Sequence, residues 1–147
     1  MKMDENIELM KHIYKVSDMG VTSTKSLLEN LKNKDNKIKE LLEDQLQTYE
    51  YYYQVAKEYL SECDIVARKE GLLTKIGSEM GIMMETIKDN SDSAIASMLI
   101  EGFTMGEVEL EGLISRYKKK ANKDVLTLVR EYQNFHKKSI EQLKTFI

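Results

Sequence analysis

No proline occurs anywhere in the 147 residues, so nothing in the chain forces a helix to stop or kink. All seven glycines lie in segments whose apolar spacing is helical, and they weaken those segments without ending them. Long, continuous helices are the natural consequence. Apolar residues recurring at about 100° per residue locate them. The first runs from Asp4 to about Asn33, with Ile7, Met10, Tyr14, Val21, Leu28 and Leu31 on one side. After a polar turn around residues 32–36, a second carries Ile38, Leu42, Leu46, Tyr49, Tyr53, Ala56 and Leu60. These two form a helical hairpin.

A further amphipathic segment begins near Ala67, with Leu73, Ile76, Met80, Met83 and Ile87 on one face. Asp89, Asn90 and Ser91 interrupt it, and Ser91 or Asp92 is placed to cap the next helix by accepting from its first free amides. That helix carries Ile95, Leu99, Phe103, Leu110, Leu113 and Tyr117. A Lys-rich turn over 118–123 precedes the last helix, with Val125, Leu128, Val129, Tyr132, Phe135, Leu143 and Phe146. The expected organisation is one all-α domain over 1–147: hairpin one over 1–62, a helical crossover over 63–90 and hairpin two over 91–147.

The hairpins match one another. Residues 19–60 align without gaps on 105–146, pairing Met19-Gly20 with Met105-Gly106, Leu27 with Leu113, Leu42 with Leu128 and Gln47 with Gln133. The turns fall in register too, through Lys32/Lys118, Lys34/Lys120, Asn36/Asn122 and Lys37/Lys123. An internal repeat is the expectation. A crossover of about 20 helical residues covers roughly 30 Å at 1.5 Å per residue, enough to return along the bundle. This predicts that the second hairpin starts at the end where the first began, with the two Lys-rich turns at opposite ends.

Composition narrows the function classes. With 41% hydrophobic and 32% charged residues, the chain is too apolar to be disordered and too charged for a membrane protein. The uncharged stretch 93–100 is far shorter than the roughly 20 residues that span a bilayer. Acids at Asp4 and Glu5, in place of a signal peptide's basic start, point to the cytoplasm. A net charge of −3 and a pI near 5.5 argue against nucleic acid, which requires a basic face to displace phosphate counterions. Cys63 is the single cysteine, which leaves no disulfide and no cysteine-based zinc site, and it reads as a small, buried or half-buried thiol.

Two hairpins in matching register, joined by a full-length crossover, resemble the ferritin-like superfamily in its up-down bundle. The resemblance covers nearly the whole chain and rests on layout. Its metal-bearing members carry a glutamate on each of helices one and three, and Glu-x-x-His on each of helices two and four. Here the corresponding positions read Gln47-Thr48-Tyr49-Glu50 and Gln133-Asn134-Phe135-His136, with glutamine for both leading glutamates. Ser23 or Thr24 stands on helix one, opposite Glu109 or Leu110 on the helix over 91–117. The resemblance therefore implies a metal site reduced to Glu50, Glu109 and His136. A more distant likeness is to small coat-associated ferritin-like proteins of spore-forming bacteria, through paired short hairpins without ligands in a Lys- and Asn-rich chain. It implies spore association.

A buried dication requires several anionic or imidazole ligands converging on it. His136 falls inside its apolar stripe, Glu50 and Glu109 at the margins of theirs, and Gln47 outside. His136 then reads as a core histidine bonded to a tyrosine or a carboxylate across the bundle, and the two glutamates as boundary acids paired with lysines. Tyr49, Tyr51, Tyr52, Tyr53 and Tyr59 read as packing. Methionines including Met80, Met83, Met84, Met98 and Met105 read as core filling. Gly77-x-x-x-Gly81 and Gly102-x-x-x-Gly106 read as contacts between crossover and bundle. Ser17 and Thr24, inside the first stripe, can bond back to the preceding turn, while His12 lies off that stripe. No phosphate loop, metalloprotease helix or nucleophile elbow occurs.

Two readings follow. One is a non-catalytic structural or interaction protein, a homo-oligomer or bound to a protein partner, with no cofactor. The other is a metal-dependent oxidoreductase or metal store holding iron or manganese at Glu50, Glu109 and His136. The shortage of inward carboxylates favours the first.

Overall fold

The computed structural model describes residues 4–65 and 89–147. All of the regular structure in them is helical: α1 over Glu5–Asn30, α2 over Lys39–Glu62, α3 over Asp92–Tyr117 and α4 over Lys123–Lys144. Two start signals act as side-chain caps. Asp4 Oδ1 accepts from the Ile7 amide at 2.8 Å, and Ser91 Oγ accepts from the Ala94 amide at 3.2 Å, each satisfying one amide that the first turn leaves free. The Ser91 amide in turn donates to Asp89 Oδ1 at 2.8 Å, and this bond holds the Asp89 carboxyl below its usual range.

α1 packs along α2, and α3 along α4. Tyr14 meets Tyr53 with ring centroids 5.1 Å apart, and further along α1 Gly20 meets Tyr49, so these two helices run antiparallel. In the second pair Phe103 stands edge-on to His136 at 5.4 Å, while Glu111, two turns on, reaches back to Gln133, with the same antiparallel sense. α1 also packs on α4 and α3, and α2 on α4.

Two polar ties set the direction of the pairs. Asn6 Oδ1, at the start of α1, accepts from the Asn122 amide before α4 at 2.7 Å. Asn36, in the first turn, donates through Nδ2 to the Asn90 carbonyl at 2.8 Å and to Asp92 Oδ1 at 2.9 Å, and the Lys37 amide donates to Asp92 Oδ2 at 3.1 Å. The two Lys-rich turns therefore sit at opposite ends, as the sequence predicts. The start of α3 is corrected: it lies beside the turn of the first pair, not where α1 begins. The reason is geometric, since α2 already returns the chain to α1's starting end.

The core runs the length of the bundle, from Ile7, Leu60 and Val125 near one end to Leu31, Ile38 and Ile95 near the other. Ser17 sits fully inside it, and its hydroxyl donates to the Ile13 carbonyl at 2.5 Å. Leu9 and Ile13 are also fully buried, beyond the predicted stripe. α1 touches all three of the other described helices, so its apolar arc is wider than one seam requires. Leu73, Ile76, Met80, Met83, Met84 and Ile87, with Gly77 and Gly81, lie outside the described residues.

Candidate functional site

The three positions singled out as reduced metal ligands do not share a surroundings. Glu50 on α2 and Glu109 on α3 are exposed, whereas His136 on α4 is 1% exposed. Among the described residues no three His, Cys, Asp or Glu side chains stand together as a group able to hold a metal ion.

His136 sits in a cage of rings. Tyr132 lies at 4.6 Å, Phe103 at 5.4 Å and Phe135 at 5.7 Å, each edge-on to the imidazole. Such edge-to-face packing is favourable, because the positive rim of one ring meets the negative face of another. On its fourth side, Gly106 lets α3 come close: a Cβ added there would lie 2.9 Å from His136 Nε2. Nδ1 lies 2.9 Å from the Tyr132 carbonyl one turn earlier. A carbonyl can only accept, so Nδ1 carries the proton and Nε2 faces Gly106. The core placement of His136 agrees with the sequence expectation; its partner is the backbone of its own helix, not a side chain across the bundle. Burial, and secondarily the neighbouring His12, push the imidazole down to about 4, against the opposing effect of the Tyr132 bond. It is a neutral packing group at ordinary pH.

The carboxylates that α3 brings to this region are Glu107 and Glu111, not Glu109. Gln133, 4% exposed, donates through Nε2 to Glu111 Oε2 at 2.5 Å and to Glu107 Oε1 at 3.4 Å. Lys137 Nζ lies 3.8 Å from Glu107. The signal was present in the sequence: Phe103, Glu107, Leu110 and Ile114 recur at spacings of three and four, so Glu107 shares the face directed at α4. Glu109 lies about 200° from Glu107 around the helix.

His12 departs from expectation. Its Nε2 is buried without a hydrogen-bond partner, and burial, then the Lys15 ammonium, push it down to about 4. The residue as a whole is half-buried.

Tyr49 and Tyr52 pack, as expected, whereas Tyr51 does not. Tyr49 stacks on Phe103 at 5.8 Å and meets Phe135 edge-on at 5.0 Å, and Tyr52 contacts Tyr132 at 4.7 Å. Burial raises the Tyr49 and Tyr132 phenols, and burial with the nearby Glu131 carboxylate pushes Tyr52 up to about 12, so all three stay protonated. Tyr51 and Met105 project outward, at 57% and 68% exposure, so Met105 is not core filling. Gly102 has no neighbour within 4 Å among the described residues. Gly106 contacts α4, where a contact with the crossover is the expectation from sequence. Cys63 is half-buried.

Comparison with protein-family models, curated proteins and solved structures gives no match. No helix among the described residues is long and apolar enough to cross a membrane.

Proposed function

We propose that the chain is a non-catalytic structural or interaction protein on a ferritin-like, two-hairpin bundle whose metal centre has been lost, acting as a homo-oligomer. The observation that carries this reading is the separation of the candidate ligands. Glu50 and Glu109 point to solvent, while His136 is enclosed by three rings and a glycine. Bringing them onto one ion would require turning two helices about their axes, against the packing of a close-fitted core. The expected crossover over 63–90 lies largely outside the described residues; the shared position of the pair Gly20 and Gly106 at helix contacts supports the repeat. Met105 and Val108, both more than 60% exposed on α3, offer apolar surface for self-association. Spore association remains part of the same reading, through the coat-protein likeness.

The test is the mass of the purified protein by light scattering, with elemental analysis of protein grown with iron and manganese and purified without chelator. A multimer holding neither metal stoichiometrically is expected. A monomer with one or two ions per chain would replace this reading with the metal-dependent oxidoreductase or metal store.

A further inference from the structure

The outward face of α3 differs from those of α2 and α4 in what it shows to water. α2 exposes charged groups such as Glu43, Glu50 and Lys57, and α4 exposes Arg130, Lys137 and Glu141. α3 instead exposes Gly102, Met105, Val108 and Gly112. The other large hydrophobics exposed among the described residues, Tyr51 on α2 and Ile147 after α4, stand singly. A lone apolar residue at the surface is ordinary, whereas two on adjoining turns of one face make a patch.

Five residues set the character of this face. At 100° per residue, Glu101, Met105, Val108, Gly112 and Arg116 fall within about 80° of one another, on the side away from the buried Phe103, Leu110 and Ile114. Their order is complementary to its own reverse. Met105 and Gly112 stand 3.5 residues either side of the point between Val108 and Glu109, and Glu101 and Arg116 stand 7.5 residues either side. A second α3 laid antiparallel about that point sets Met105 against the partner's Gly112 and Glu101 against the partner's Arg116. Each contact then occurs twice, as a two-fold interface requires, and the two Val108 side chains meet at the axis.

The local chemistry fits that pairing. A Cβ added at Gly112 has nothing within 4 Å among the described residues, which leaves room for the flexible, unbranched Met105 side chain. Glu101 and Arg116 are exposed, and neither has an ion pair among the described residues. Arg116 lies against the ring of its own Tyr117, at 5.8 Å. The neighbouring carboxylates are placed elsewhere: Glu107 and Glu111 engage α4, and Glu109, about 40° round the helix from Met105, falls at the rim.

We propose that the outward face of α3 binds a second copy of this chain, antiparallel about a two-fold axis beside Val108, with Met105 on the partner's Gly112 and Glu101 paired to the partner's Arg116. This rests on the homo-oligomer reading above and names the face that carries it. The apolar centre supplies the attraction, and the ion pairs chiefly fix the register, since exposed pairs contribute little by themselves.

Sedimentation equilibrium of the full-length protein over a dilution series tests this, comparing the unmutated chain with E101R, R116E and E101R/R116E. Far-UV dichroism checks that each keeps its helices. A single reversal turns two attractive pairs into two repulsive ones, so the dissociation constant is expected to rise about tenfold. The double reversal restores both pairs and should return it to within about threefold of the parent. M105E/V108E, altered only at exposed positions, should be helical and monomeric. A dissociation constant indifferent to the single reversals, a double reversal as weak as the singles, or an M105E/V108E chain that stays associated overturns this interface and leaves the homo-oligomer reading standing. An unmutated chain that is monomeric at every concentration overturns both.

Discussion

Gly20→Ala is expected to destabilise the protein although alanine is the better helix former. A Cβ at Gly20 would lie 2.5 Å from Tyr49 Cζ and closer still to Cδ1 and Cε1, where ordinary carbon contacts are about 3.5–4.0 Å. The ring has nowhere to go, since it is buried between Phe103 and Phe135. Overpacking of this kind costs about 1–3 kcal/mol or more, and the clash spans a whole ring edge, which puts it at the upper end. Replacing helical glycine by alanine returns about 1 kcal/mol, so the net loss is about 2 kcal/mol. Gly112→Ala is the internal control. It is exposed, with nothing within 4 Å among the described residues, and it should gain about 1 kcal/mol. At about 2–4 °C per kcal/mol for a chain of this size, thermal unfolding followed by far-UV dichroism should fall by about 6 °C for Gly20→Ala and rise by about 3 °C for Gly112→Ala. A Gly20→Ala protein as stable as the parent would refute the packing described for α1 against α2.

Further predictions follow from the polar groups. The two lowered histidines bind fewer protons folded than unfolded between pH 6.5 and about 4, so their stabilisation is complete above pH 6.5 and declines as pH falls through that window. Urea unfolding at pH 7 and pH 4.5 should differ by no more than about 3 kcal/mol per imidazole from this source, and the difference should shrink when either is replaced by leucine or phenylalanine. Asn36→Ala removes both donations to Asn90 and Asp92 and should cost about 1–2 kcal/mol, with faster amide exchange around residues 90–95 as the local readout. Tyr132→Phe deletes a buried hydroxyl with no partner and should leave stability unchanged or raised by about 1 kcal/mol, measured by the same urea unfolding.

The helices were legible because their signal is repeated over many turns, with no proline to interrupt it. The expected first helix over 4–33 becomes Glu5–Asn30, and the capping role of Ser91 holds in atomic detail. What the pattern missed lies where one helix faces several others. Leu9 and Ile13 lie beyond the predicted stripe and yet are fully buried, because α1 packs on three neighbours at once. At the candidate site, the inward position of His136 was legible from its stripe. Glu109 corresponds to Ser23 through the shift of 86, and that correspondence says nothing about facing. Glu107, two residues earlier, lies on the inner side and meets Gln133 instead. The backbone bond of His136 was not legible, since any helical histidine has the preceding turn's carbonyl within reach and packing decides whether it is used.

The separation of Glu50, Glu109 and His136 is the claim on which the functional reading stands, and calorimetric titration of metal-free protein with iron(II) or manganese(II) tests it most directly. The expected result is no saturable uptake of either ion, in the unmutated protein and in His136→Ala alike. Stoichiometric uptake that disappears in His136→Ala, with helicity unchanged, would contradict it.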